Sequence, residues 1–172
     1  MERTLCGHSS RLIPHALGFA GFWPHGARSI RYPDRMEAVE TRLRVRYAET
    51  DQMGVVYYAN YFVWMEIGRV EFCRASGMRY REIEGDGFLL VVAEADCRYV
   101  TPARYDDEIV ISTTLADASP RMPRFDYEIA EAANGRKIAT GYTKHIWCGA
   151  DFRPRKLPKE YWAAFGIKNE NA

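Results

Sequence analysis

Asn60-Tyr61-Phe62-Val63-Trp64-Met65-Glu66-Ile67-Gly68-Arg69-Val70-Glu71-Phe72-Cys73-Arg74-Ala75-Ser76 is the stretch on which the fold turns. Its length and composition predict a long helix, which Gly77 ends in the usual stop position. Tyr61, Phe62, Val63, Trp64, Met65, Ile67 and Val70 leave almost no polar face in the first half. A helix apolar nearly all round has to be covered by neighbours on most sides. The second half is wetter, with Arg69, Glu71 and Arg74.

The rest of the chain supplies strands to do the covering. Upstream, residues 40–48 alternate, with Leu43, Val45 and Tyr47 on one side and Arg42, Arg44 and Arg46 on the other. That is a strand with one wet face. Downstream, residues 88–100 set Ala93, Ala95, Cys97 and Tyr99 against Glu94, Asp96 and Arg98. Residues 107–117, 122–133 and 136–149 repeat the pattern, and Asn134-Gly135 between the last two signals a tight hairpin turn. Pro158 to Phe165 reads as a short C-terminal helix. The order is strand, greasy helix, four strands. Hairpin-linked strands form an antiparallel sheet, and a sheet that curls can house the helix, so the class is α+β.

The bulk numbers bound the answer. The chain has 172 residues, 47% hydrophobic and 27% charged, which suits one globular domain. Its formal net charge of +1 points away from a nucleic-acid binder. No apolar run reaches the roughly 18 residues that span a bilayer. Cys6, Cys73, Cys97 and Cys148 stand far apart without a CxxC pair, so they read as buried small hydrophobes of a cytoplasmic protein, with no metal site. Residues 1–38 differ from the rest: they hold His8, His15 and His25, several prolines and glycines, and an excess of arginine. They read as a disordered or loosely attached extension, or as sequence ahead of a natural start at Met36. A targeting segment is the third reading, though glycines interrupt its apolar stretch. The domain runs over 39–166, with 167–172 as a tail.

The loop between the first strand and the helix carries the chemistry: Glu49-Thr50-Asp51-Gln52-Met53-Gly54-Val55-Val56-Tyr57-Tyr58-Ala59. A carboxylate here can attack a carbonyl or activate water. Unpaired N–H groups where a helix opens can polarise that carbonyl and hold its oxyanion. Gly54 lets the loop turn tightly and a substrate approach the backbone. Asp51 also fits a plain turn residue, and Asn60 reads first as the helix cap. Glu66 with Arg69 has the spacing of a helical ion pair. His145 is the domain's lone histidine, within a strand, and reads as structural.

In this segment the chain resembles the 4-hydroxybenzoyl-CoA thioesterase branch of the hotdog superfamily, closest to its acyl-CoA thioesterases, including the Tol-Pal-associated group. The pattern is Asp51, two variable residues, Gly54, apolar Val55 and Val56, aromatic Tyr57, Tyr58 in a Tyr-or-His place, and small Ala59. Glu66-x-x-Arg69-x-Glu71, Gly77, and Tyr99-x-x-Pro102-Ala103-x-Tyr105-Asp106-Asp107 also match, so the likeness covers about residues 40–160.

The resemblance implies a curved antiparallel sheet of about five strands wrapped around one long central helix, paired as a homodimer or homotetramer. It implies hydrolysis of an acyl-CoA thioester with Asp51 as nucleophile or general base and no cofactor, coenzyme A being part of the substrate. Tyr58 would be the second catalytic residue, and Gly54, Val55, Tyr57, Ala59 and Asn60 would contact substrate. The amides of about Tyr57, Tyr58 and Ala59 would face the thioester. Arg153, Arg155 and Lys156 are candidates for the coenzyme A phosphates. Glu66 is the rival catalytic carboxylate, since another hotdog branch places its acid on the helix. An acyl-carrier-protein thioesterase and a non-catalytic acyl-CoA binder are the alternatives. A dehydratase would want a histidine near the helix, and His145 lies in a strand.

Overall fold

The computed structural model describes residues 37–167. The extension expected over 1–38 and the tail over 167–172 lie almost wholly outside these residues, as do Cys6, His8, His15 and His25. Strands β1 (Val39–Arg44), β2 (Phe88–Tyr99), β3 (Glu108–Asp117), β4 (Arg124–Glu131) and β5 (Lys137–Gly149) accompany helices α1 (Asn60–Ala75) and α2 (Tyr80–Gly85). The strands form one antiparallel sheet in the order β1-β3-β4-β5-β2. Consecutive β3, β4 and β5 are neighbours, whereas β1 and β2, which flank α1 in sequence, occupy opposite edges. The helix therefore bridges the whole width of the sheet. No helix among the described residues is long and apolar enough to cross a membrane.

Alternation explains which side chains meet α1. Ile109, Ile111, Thr113 and Leu115 of β3 are buried, as are Phe125, Tyr127 and Ile129 of β4. Trp64, Met65, Phe72 and Cys73 of α1 pack against this face, with Phe72 edge-on to Phe125 at 5.7 Å between centroids. Gly68 allows the helix its close approach. A Cβ there would stand 2.5 Å from Thr113 Oγ1 and 2.9 Å from Ile111 Cγ2.

The expected coverage of α1 is incomplete within one chain. Val63 and Ile67 remain 43% and 38% exposed, facing away from β1 and β3. The adjoining edge, β2, is also largely exposed along its middle, and a bulge between Val92 and Glu94 interrupts its register with β5.

Several sequence expectations need correction. β1 ends at Arg44, and Tyr47 stands in a 3-10 turn with its ring 77% exposed, because the chain reverses at Tyr47–Glu49 instead of running straight to Ala48. The connection between β4 and β5 spans residues 132–136, wider than a two-residue turn; Gly135 takes a φ of 71° there. Pro158 to Phe165 forms two 3-10 turns, Lys159–Tyr161 and Ala163–Phe165, which place Trp162 and Phe165 against the core. The short helix α2 has too few residues to announce itself by periodicity. Cys73 and Cys148 are buried and Cys97 half-buried, all as free thiols.

Gly68→Ala gains helix propensity yet overfills the α1–β3 contact. We expect a net loss of about 1–3 kcal/mol in urea unfolding, the usual cost of an overpacked core.

Candidate active site

The loop after β1 is built by hydrogen bonds that its sequence makes possible. Val45 N–H donates to Asp107 O at 2.9 Å and Asp106 N–H donates back to Val45 O at 3.1 Å, which extends strand pairing past Arg44. The 3-10 turn then swings Glu49 inward to 4% exposure. Its carboxylate accepts from Arg46 N–H at 2.8 Å, the Arg46 guanidinium at 3.0 Å and Trp64 Nε1–H at 3.2 Å. Its carbonyl accepts from Tyr57 N–H at 2.9 Å and from Asn60 Nδ2 at 2.8 Å. Burial alone would raise the Glu49 carboxyl, but these donors outweigh it and hold the group below the ordinary carboxylate value.

Beyond Glu49 the chain makes a narrow turn. Thr50 bridges to Val56, Asp51 N–H donates to Val55 O, and Gly54 N–H donates to Asp51 O, the last two at 2.9 Å. Gly54 takes a φ of 72°, a conformation that costs other residues energy. Asp51 Oδ1 accepts from Met53 N–H at 2.8 Å, which fixes the side chain by a local turn bond. No donor among the described residues meets its other oxygen. Asp51, Met53, Val55, Tyr58, Tyr61 and Tyr99 line a common cleft of about 310 Å³.

The helix opening differs from expectation in one respect. Ala59, already helical in φ and ψ, occupies the cap position without a side-chain cap. Asn60 is the first helical residue, and its amide ties the helix to the Glu49 carbonyl instead of capping it. The Tyr57 amide is likewise spent on Glu49, which removes it from the expected set of free donors. The N–H groups of Tyr58 and Ala59 meet no acceptor among the described residues. The Tyr58 carbonyl accepts from Tyr99 O–H at 3.1 Å, and its ring leans on Tyr57 at 4.5 Å between centroids. Burial pushes the Tyr99 phenol up to about 12, so it stays protonated and able to donate.

The other expected residues divide. Gly54 stands at the outer rim, its carbonyl within 3.4 Å of the Arg104 guanidinium. Arg153, Arg155 and Lys156 are not brought to this cleft within one chain. They follow β5, whose Gly149 lies opposite Phe88 while its Ala139 lies opposite Tyr99. Arg155 N–H donates to Trp147 O, opposite Leu90, so most of the length of β2, roughly 30 Å, separates it from Tyr99. Arg155 pairs with Asp151 at 3.3 Å, and Lys156 lies over the Trp162 ring at 5.1 Å. Glu66 is exposed and makes no ion pair with Arg69, because Arg69 turns to donate to Tyr80 O–H at 2.8 Å. His145 is fully buried, its Nε2 2.8 Å from Thr143 Oγ1, and burial followed by the nearby Arg69 charge lowers it to about 3.

Sequence reasoning passed over Glu49. The available signal was its place three residues after Arg46, the spacing at which a carboxylate returns to the first N–H of a turn. Glu49→Gln should cost about 1–3 kcal/mol at neutral pH, as one buried oxygen loses its partners. The Glu49 carboxyl is more acidic folded than unfolded, so its stabilisation is complete above its ordinary value of 4.5 and fades as pH falls below it. Urea unfolding of both proteins from pH 7 to pH 3 should show the gap narrowing in acid; a gap independent of pH would contradict this role.

A curved antiparallel sheet with one long helix across it defines the hotdog fold. Residues 45–165 match the thioesterase-like superfamily, and the chain belongs to that family; it is a thioester hydrolase. It is 34% identical over 127 residues to YneP of Bacillus subtilis, provisionally named an acyl-CoA thioesterase, covering 73% of this chain and 91% of that protein. It is 29% identical over 126 residues to the chloroplastic acyl-acyl carrier protein thioesterase ATL3 of Arabidopsis thaliana, covering 73% and 66%. The crystal structure of DHNA-CoA thioesterase from Staphylococcus aureus superposes with a TM-score of 0.73 at 29% identity, covering 76% of this chain and 90% of that one.

Proposed function

We propose that the protein hydrolyses an acyl-coenzyme A to the free acid and coenzyme A, with Asp51 as the reacting carboxylate. One observation carries this reading: Asp51, a carboxylate with a free oxygen, and Tyr58, whose N–H at the helix opening meets no acceptor among the described residues, line one cleft. The thioester carbonyl sits against the Tyr58 and Ala59 N–H groups, which stabilise the oxyanion as it forms. Asp51 either takes a proton from the attacking water or attacks the carbonyl itself to give a mixed anhydride that water then opens. In both routes a C–O bond forms, the C–S bond breaks, and the thiolate leaves and is protonated from solvent. A thiolate leaves readily, so this chemistry calls for no metal or redox cofactor.

The reading includes a second copy. The exposed β2 edge can pair with itself in antiparallel fashion, and such pairing brings a partner over Val63, Ile67 and Val92, the apolar side chains left open. Homodimers, or pairs of them, are the expected assembly. The likeness to ATL3 supports a second reading, in which the acyl group arrives on acyl carrier protein.

Asp51→Asn should lower kcat at least about 100-fold on the best of a panel of acyl-CoAs, followed with a thiol reagent, while the unfolding midpoint stays put. Near-normal turnover in that variant would remove Asp51 from the chemistry, and loss of activity in Glu66→Gln alone would move it to the helix. An acyl-carrier-protein substrate at least tenfold better than its CoA counterpart would favour the second reading.

A further inference from the structure

A second cavity, of about 270 Å³, lies further along the same helix. Phe62, Val63, Glu66 and Arg69 of α1 form one wall, Val92 and Ala95 of β2 another, and Thr143 and His145 of β5 complete it. The active cleft is bounded by the start of α1 and the Tyr99 end of β2, so the two cavities follow one another in the gap between helix and strand. Cys97, a small and half-buried side chain, lies between Tyr99 and Ala95 along β2. From Tyr99, in the first cavity, to Ala95, which lies opposite Thr143 in the second, is four strand residues, about 13 Å.

The two cavities differ in chemistry. The near one presents mainly aromatic and aliphatic side chains. The far one has an apolar mouth and a polar wall. Thr143 Oγ1 is held between Tyr127 O–H and His145 Nε2, each at 2.8 Å. A hydroxyl has one donor and two acceptor sites, so one position on Thr143 remains open. Among the described residues His145 Nδ1 meets no hydrogen-bond partner, so none of them fixes the imidazole tautomer. With Nε2–H and Tyr127 O–H both donating to Thr143, the Thr143 proton is free for another acceptor. With Nε2 accepting, the remaining Thr143 lone pair is free for another donor. Arg69 is engaged by Tyr80 O–H, which leaves it poorly placed to clamp a carboxylate.

We propose that this cavity reads the far end of the acyl group, that Thr143 is its specificity-determining residue, and that the preferred acyl group carries a hydroxyl about 13 Å from the thioester. A hydroxyl both donates and accepts, so it suits either arrangement of the Thr143–His145 pair. His145 is a positioning residue that acts through Thr143. The claim rests on the proposed thioester hydrolysis only for its kinetic form; as a statement about binding it stands separately.

The test compares decanoyl-CoA with ω-hydroxydecanoyl-CoA. For the unaltered protein, kcat/KM should be at least tenfold higher for the hydroxylated substrate, since a site built for a hydroxyl discriminates against its absence. Thr143→Val should reduce that ratio at least tenfold, and Thr143→Ser should restore it. Binding of both ligands to Asp51→Asn, measured by calorimetry, should show the same preference without turnover. Equal kcat/KM for the two substrates, or a ratio unmoved by Thr143→Val, would overturn the proposal and leave thioester hydrolysis intact. If neither substrate turns over, the catalytic reading fails, and calorimetry still decides this one: tenfold tighter binding of the hydroxylated ligand supports it and equal binding ends it.

Discussion

The buried carboxylate of Glu49 is the contact on which the site's geometry depends. An ion removed from water is costly unless several donors meet it. Here the donors come from three places: the backbone and guanidinium of Arg46 at the end of β1, the indole of Trp64 one turn into α1, and, at the Glu49 carbonyl, Tyr57 and Asn60 where the helix begins. One residue thereby ties the strand exit, the acidic loop and the helix to each other. Asp51 is two residues further on, so its position relative to the Tyr58 and Ala59 amides is set by that knot. Preorganisation of this kind is what electrostatic catalysis requires, because donors that must move to meet a developing charge lose much of their effect.

The same knot explains which amides are left over. A helix start has up to four unpaired N–H groups. The Tyr57 N–H and the side-chain amide of Asn60 are both bound back to the Glu49 carbonyl, which aims the helix. The N–H groups of Tyr58 and Ala59 meet no acceptor among the described residues, and Ala59 carries no side-chain cap. A conventional Ser or Asp cap at this position would stabilise the helix by about 1 kcal/mol by accepting from an N–H of the first turn. The uncapped start is a local weakness that the Glu49 contacts offset.

Much of this was legible in the sequence. The apolar character of residues 61–70 demanded a covered helix, and four alternating segments after it supplied a sheet; both are present with nearly the expected bounds. The Asp51 loop was legible because its turn needs a glycine at Gly54, where φ is positive. What escaped notice depends on tertiary contact. Whether Glu49 faces water or Trp64 is decided by the reversal at Tyr47, which alternation in β1 did not foretell. Asn60 has the composition of a cap, yet a carbonyl eleven residues back competes for it successfully. The separation of Arg153, Arg155 and Lys156 from the cleft follows from which end of β5 meets which end of β2, a register that local pattern does not encode.

That register bears on the assembly. Antiparallel pairing of two β2 edges would set the Phe88 end of one strand beside the Tyr99 end of the other. The basic loop after β5 lies at the Phe88 end, and the cleft at the Tyr99 end. Residues roughly 30 Å apart within one chain would then become neighbours across the pair. Such pairing would cover the exposed middle of β2 and the bare Val63 and Ile67 and would bring the basic loop toward the partner's cleft. In this arrangement the helix start and Asp51 would supply the reacting groups, the α1–β2 gap would hold the acyl chain, and a second copy would close the gap and bring cations toward the polyanionic end of the substrate.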